Sequence, residues 1–189
     1  MFMRFVLFFI FFFSVDLFSA YELRLHYNRA YLYNNTLYVD LYTSKNIELN
    51  SNIKKYLDNG VIVSLNFRVN LVKKNFLFDD TIKDVYFYRQ IYYDFFTKEY
   101  VLINSDTMRE VRDSNFYSLM SHIYFINRVE VLSISNINPS SSYYFKTRLS
   151  IQFYNVYSYL SVFFSLIIPL QYRIKWLHSP DFNLSSIIL

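Results

Sequence analysis

Cysteine is absent from this 189-residue chain, and glycine occurs once. Without cysteine there is no thiolate nucleophile, no thiolate metal site, no disulfide framework and no residue for lipid attachment. With one glycine, phosphate-cradling loops and collagen-like or Gly/Ser low-complexity architectures are excluded as well. Charge is also scarce: 19 basic and 15 acidic residues leave a net +4, scattered along the chain. That balance is too mild and too dispersed for a nucleic-acid footprint, so no nucleic-acid partner is expected. What the chain does have is apolar mass, with 53% hydrophobic residues, 21 Phe and 20 Tyr. Such a composition excludes a disordered chain and suffices for one domain with a core. Phe, Tyr, Asn, Ile and Lys are the residues of A+T-rich codons. The aromatic excess therefore reads as genome bias at positions where any bulky apolar side chain would serve.

The amino terminus carries Arg4, an unbroken apolar run over residues 5–13, then Asp16 and Phe18-Ser19-Ala20. A short basic start, an apolar stretch of about ten residues and a small-residue end are the parts of a secretory signal peptide. Residues 1–20 are read as that signal, with cleavage after Ala20, and residues 21–189 as a single β-rich exported domain. Phe18 stands where such sites usually carry a small residue, and the alternative is an uncleaved membrane anchor. A second uncharged stretch, residues 149–170, contains Gln152 and Asn155 and begins with strand-like alternation. It reads as an interior segment, since only residues 160–170 are strongly apolar and a membrane span needs about twenty.

In the body, Val61, Val63, Leu65, Phe67, Val69 and Leu71 alternate with Ser64, Asn66, Arg68 and Asn70. This period of two predicts a long half-buried strand over residues 61–73. The same alternation recurs over residues 143–153 and from Leu170 to Trp176. Shorter strands are expected at residues 22–27, 31–42 with a turn at Asn34-Asn35, 85–94 and 99–104. Leu49, Ile53, Tyr56 and Leu57 have helical spacing, and Asn59-Gly60 is a stop signal that calls for a left-handed residue. A second helix is expected after a cap at Asp113 or Ser114, with Phe116, Leu119, Met120, Ile123 and Ile126 on its apolar face. Strands with one wet face belong to antiparallel sheets. The predicted fold is α+β and β-rich: an antiparallel sheet or sandwich of about seven strands with two short helices.

No catalytic, cofactor or metal constellation is legible. His26, His122 and His178 are far apart, Asp79-Asp80 reads as a solvated turn, and no nucleophile elbow accompanies the serines. Arg89 shares the phase of Val85, Phe87, Ile91 and Tyr93. It is the one candidate for binding an anion or a partner, against the preferred reading of a strand-end arginine whose stem packs and whose head reaches water. Were it buried, Asp94, Asp106 or backbone carbonyls would be its acceptors. Structural roles are assigned to Gly60, Phe67, Tyr100, Leu149 and Trp176, the last as a core plug. Aromatic residues interleaved with Lys and Arg at residues 86–93 and 143–148 fit a ligand groove, a protein interface or core filling.

Leu57-Asp58-Asn59-Gly60-Val61, Arg89-Gln90-Ile91-Tyr92-Tyr93-Asp94 with Lys98-Glu99-Tyr100, residues 143–149 and Trp176-Leu177-His178-Ser179-Pro180-Asp181-Phe182 follow one another in this order. In these the chain resembles a bacterial exported family known only as domain of unknown function 4390. The resemblance implies a bacterial envelope protein and assigns no activity and no catalytic residue. The functional expectation is a non-enzymatic envelope domain that binds a protein partner or an apolar ligand through an aromatic sheet face or an open edge, with peripheral membrane association as a further expectation. A small outer-membrane β-barrel and an envelope hydrolase without a recognisable motif are the alternatives. No cofactor is expected.

Overall fold

The computed structural model describes residues 25–44, 47–155, 171–173 and 175–187. The expected signal at residues 1–20 and the apolar stretch at 160–170 lie outside these. Strands β1 (Leu25–Tyr33) and β2 (Thr36–Thr43) form a hairpin. Asn34 and Asn35 close it with φ of 48° and 63°, the pair of left-handed residues that a two-residue hairpin turn needs. Helix α1 (Ile47–Asp58) leads into β3 (Val61–Lys73), β4 (Asp80–Asp94), β5 (Glu99–Asn104) and β6 (Arg109–Asp113). Helix α2 (Phe116–Tyr124) precedes β7 (Phe125–Ser133) and β8 (Ser142–Asn155), and three short strands follow, β9 (Gln171–Arg173), β10 (Leu177–His178) and β11 (Phe182–Asn183).

All pairings among the described residues are antiparallel. A three-stranded sheet has the order β1-β2-β7, and a larger sheet the order β10-β8-β3-β4-β5-β6 with β9 and β11 also on β8. Strands β9, β10 and β11 pair in turn with residues near 151, 147 and 143 of β8. Together they form one interrupted edge strand. Among the described residues the larger sheet is open, with that edge on one side and β6 on the other. Among the described residues the chain is thus β-rich and antiparallel, with two helices and two sheets.

The alternation read from the sequence places Val63, Leu65, Phe67, Val69 and Leu71 on the inner face beside Tyr143, Phe145, Leu149 and Ile151 of β8, all buried. Phe67 stacks on Phe87 of β4 at 5.0 Å. The three-stranded sheet covers one end of this face, with Tyr27 against Phe145 at 6.0 Å. The helices cover the rest through Ile53 and Leu57 of α1 and Phe116, Leu119 and Ile123 of α2. Burying each such side chain contributes roughly 1.5–3 kcal/mol.

Helix α1 ends as its sequence predicts, with the Gly60 N–H donated to the Leu57 carbonyl at 2.9 Å and Gly60 at φ 78°. Helix α2 differs from expectation at both ends. Its cap is Asn115, whose Oδ1 accepts from the N–H groups of Tyr117 and Ser118, while Asp113 stands behind and accepts from the Asn115 N–H at 2.7 Å. The helix stops at Tyr124, so Ile126 is buried as part of β7. Strands β6 and β7 were not expected. In β6 only Val111 is apolar, and in β7 the spacing of Ile126 from Ile123 mimics one more helical turn.

Candidate functional site

With the inner face occupied by the core, the polar positions of β3, β4 and β8 converge on the outer face of the larger sheet. Asn66, Arg68, Asp84, Tyr86, Arg148, Ser150 and Gln152 line a cavity of about 310 Å³ there. Its floor is a hydrogen-bonded network. Tyr86 donates its hydroxyl to Asn66 Oδ1 at 2.7 Å, Ser64 donates to the same oxygen at 3.2 Å, and Asn66 donates its amide to Gln152 Oε1 at 3.1 Å. Tyr154 also donates to Gln152 Oε1. Ser64 and Asn66 are buried by these neighbours, so the polar side of β3 is only partly a wet face. Burial pushes the Tyr86 phenol up, which keeps it a neutral donor.

One end of the cavity is cationic. Arg68 and Arg148 are direct cross-strand partners. Arg68 donates from Nε to both oxygens of Asp84, at 3.0 and 2.9 Å; these bonds raise its pKa. Arg148 lies over the Trp176 ring with its guanidinium carbon 4.5 Å from the centroid. Lys146 approaches the same ring at 5.0 Å and Arg68 at 5.9 Å. Three cations therefore share one indole, and Asp84 is the single carboxylate paired with them among the described residues. Trp176 is half-buried on this outer face and is no core plug: the edge strand is interrupted beside it, and the basic side chains of β3 and β8 supply its contacts.

Arg89 lies elsewhere, on the inner face. It is 6% exposed, and its Nη1 donates to the carbonyls of His122, Ile123 and Phe125 at 2.6, 3.3 and 3.2 Å. The Asp106 carboxylate lies 4.0 Å from Nη2. Burial lowers its pKa and Asp106 opposes that shift. The head does not reach water, contrary to the strand-end reading, because the end of α2 sits directly over it and offers carbonyls that no further helical turn satisfies. These contacts occupy the guanidinium as a cap for α2.

The comparisons support the family resemblance over all the motifs but the last, residues 176–182, which lies beyond the match. The family described as domain of unknown function 4390 matches residues 21–167. The chain belongs to this family. No curated protein and no solved structure matches it. In this family member the matched segment takes in every residue lining the cavity, whereas Trp176 lies beyond it.

The remaining sequence candidates are structural in their surroundings. Gly60, Phe67 and Leu149 are buried in the core region. Tyr100 is buried on the inner face and donates its hydroxyl to Asp58 Oδ1 at 2.6 Å, tying β5 to the end of α1. His26 stacks on Tyr42 at 4.6 Å and His178 on Tyr144 at 5.4 Å. Among the described residues no group of His, Asp and Glu could hold a metal ion. Asp79 accepts from Tyr144 at 3.0 Å and Asp94 from the turn N–H of Phe96 at 2.9 Å. The convergence of Asn66, Arg68, Arg148 and Gln152 was missed from sequence. Each is visible as a polar position in an alternating strand, but only the register of β3 against β8 puts Arg68 beside Arg148 and Asn66 within reach of Gln152.

Proposed function

We propose that this chain is an exported, non-enzymatic binding domain of a bacterial cell envelope, and that the outer sheet face around Arg68, Arg148 and Trp176 receives an anionic group of its partner. The observation that carries the reading is the direct opposition of Arg68 and Arg148. Like charges opposite one another on neighbouring strands are destabilising, and Asp84 compensates only the first of them. An incoming carboxylate or similar anion would complete the arrangement, held in bidentate fashion by Arg148, with Ser150 and the Gln152 amide as further polar contacts. The polar lining supports an anionic group over the apolar ligand expected from composition. Export is supported by the basic-apolar-small order of residues 1–20 and by a family match that begins at Tyr21.

Trp176 is the only tryptophan, so it reports on its own site. Titration with a short oligoglutamate peptide should change its emission, the change should weaken as salt rises, and Arg148→Ala should abolish it; an oligolysine peptide should have no effect. A flat response to the acidic peptide would sink the proposed site. Mass spectrometry of the amino terminus in host fractions tests export: a terminus at Tyr21 in the envelope fraction is expected, and an uncut chain in the cytosol would refute it.

A further inference from the structure

The loop joining β3 to β4 presents Phe76, Leu77 and Phe78 in succession, 100%, 77% and 83% exposed. Codon bias fills core positions with aromatic residues at little cost, but these three fill nothing. Nor is the loop loosely held. Asn75 donates its backbone N–H to Asp79 Oδ1 at 3.1 Å and its side-chain amide to Asp80 Oδ2 at 2.6 Å, so the two carboxylates staple the base of the loop. Asp79 in turn accepts from Tyr144 of β8 at 3.0 Å. The Lys74 N–H is donated to the Ser142 carbonyl at 2.9 Å, and its ammonium pairs with Asp181. Polar groups at the base are engaged with one another, and the apolar triplet is held out beyond them.

We propose that this tip inserts into the interfacial layer of a lipid bilayer. A specific protein interface needs about 800 Å² per partner. Two phenylalanines and a leucine, at roughly 150–250 Å² for each aromatic, fall short of that, and Lys74, Asp79 and Asp80 at the base of the loop are already engaged. A bilayer asks only for a convex apolar wedge. Insertion is shallow, about 5–10 Å, because loop N–H and C=O groups find no partners in hydrocarbon. Lys73, Lys74 and Lys83 near the tip are balanced by Asp79, Asp80 and Asp181, so attachment needs no anionic lipid and resists salt. This inference is independent of the cationic site, which uses other residues of the sheet.

The test places an indole at the tip of the full chain as Leu77→Trp and adds phosphatidylcholine vesicles with brominated acyl chains. The added indole should shift to the blue and be quenched beyond what the parent chain, with Trp176 alone, displays, and the quenching should persist at about 0.5 M salt. The readout is local to the tip, so vesicle binding through residues 5–13 cannot produce it. Adding Phe76→Ser and Phe78→Ser to that chain should reduce the quenching several-fold. An indole that stays red-shifted and unquenched with vesicles, or quenching indifferent to the two serines, would overturn the proposal. Shielding of that indole from acrylamide by a soluble host extract and not by vesicles would overturn it in favour of a protein pocket.

Discussion

Arg68 of β3 and Arg148 of β8 stand directly opposite one another, and both guanidiniums lie over the ring of Trp176. The indole face partly offsets what their proximity costs, since a cation over an aromatic face gains about 0.5–1 kcal/mol at exposed sites and opposed like charges lose a similar amount. Arg148→Ala removes both effects, so its stability in urea should stay within about 0.5 kcal/mol of the parent. Asp84→Ala should be more destabilising than Arg148→Ala, because it leaves Arg68 without its carboxylate beside an unrelieved Arg148. Arg148→Ala proving the more damaging would mean that the site is organised for stability and not for a ligand.

Arg89 makes the opposite prediction. Its guanidinium satisfies three carbonyls at the end of α2 from inside the core, so Arg89→Met leaves buried acceptors unpaired and should cost about 3 kcal/mol. Arg89→Lys should recover only part of the loss, as a compact ammonium is more strongly hydrated than a guanidinium and is costlier to hold among buried carbonyls. Hydrogen exchange should quicken in the last turn of α2 before it does in β3. A variant that melts with the parent would show that the helix end finds other donors.

Sequence reading succeeded where one periodicity governs an element and failed where two meet. The bounds of β3 follow from a strict alternation that Gly60 begins and Lys74 ends, and those of β5 from its turn-flanked apolar run. Strand β4 starts at Asp80 and not at Val85 because its first part is paired with β3 alone among the described residues, so it buries little and its one apolar residue before Val85, the exposed Ile82, sets no alternation. Residues 123–126 satisfy a helix and a strand at once, and the arginine that decides between them, Arg89, is 34 residues away from Ile123. The candidate site was legible only as separate polar positions. Trp176 misled because an apolar residue in an alternating segment reads as core, whereas the basic residues of neighbouring strands determine where it lies.

Acid should weaken the fold through the turns. The N–H of Phe96, with smaller help from Thr97 and Arg112, holds the Asp94 carboxyl below the usual carboxylate range, and Ser118 and Asn115 do the same for Asp113. A carboxyl depressed in the folded state takes up protons more readily once unfolded, so its contribution is present above the unfolded value and is lost as pH falls through the folded one. The melting temperature should be flat from neutral pH to about 5 and fall below about 4. Asp94→Asn keeps an acceptor for the turn but no titrating group, so its melts between about pH 6 and 2.5 should slope less than those of the parent. An identical slope would assign the acid sensitivity to other carboxylates.

Gly60 tests the join between α1 and β3. At φ 78° a residue bearing Cβ crowds its own backbone, a cost of roughly 1–2 kcal/mol, and the position is buried. Asn tolerates the left-handed region best among the others, and a β-branched residue worst. Denaturation midpoints should therefore fall in the order Gly60→Asn, Gly60→Ala, Gly60→Val, with valine the lowest. Seven residues further on, Phe67 is fully buried, and Phe67→Ala should cost about 3–5 kcal/mol without depending on backbone geometry. A Gly60 series that followed side-chain volume alone, with alanine above asparagine, would indicate that crowding and not the left-handed turn is what the single glycine relieves.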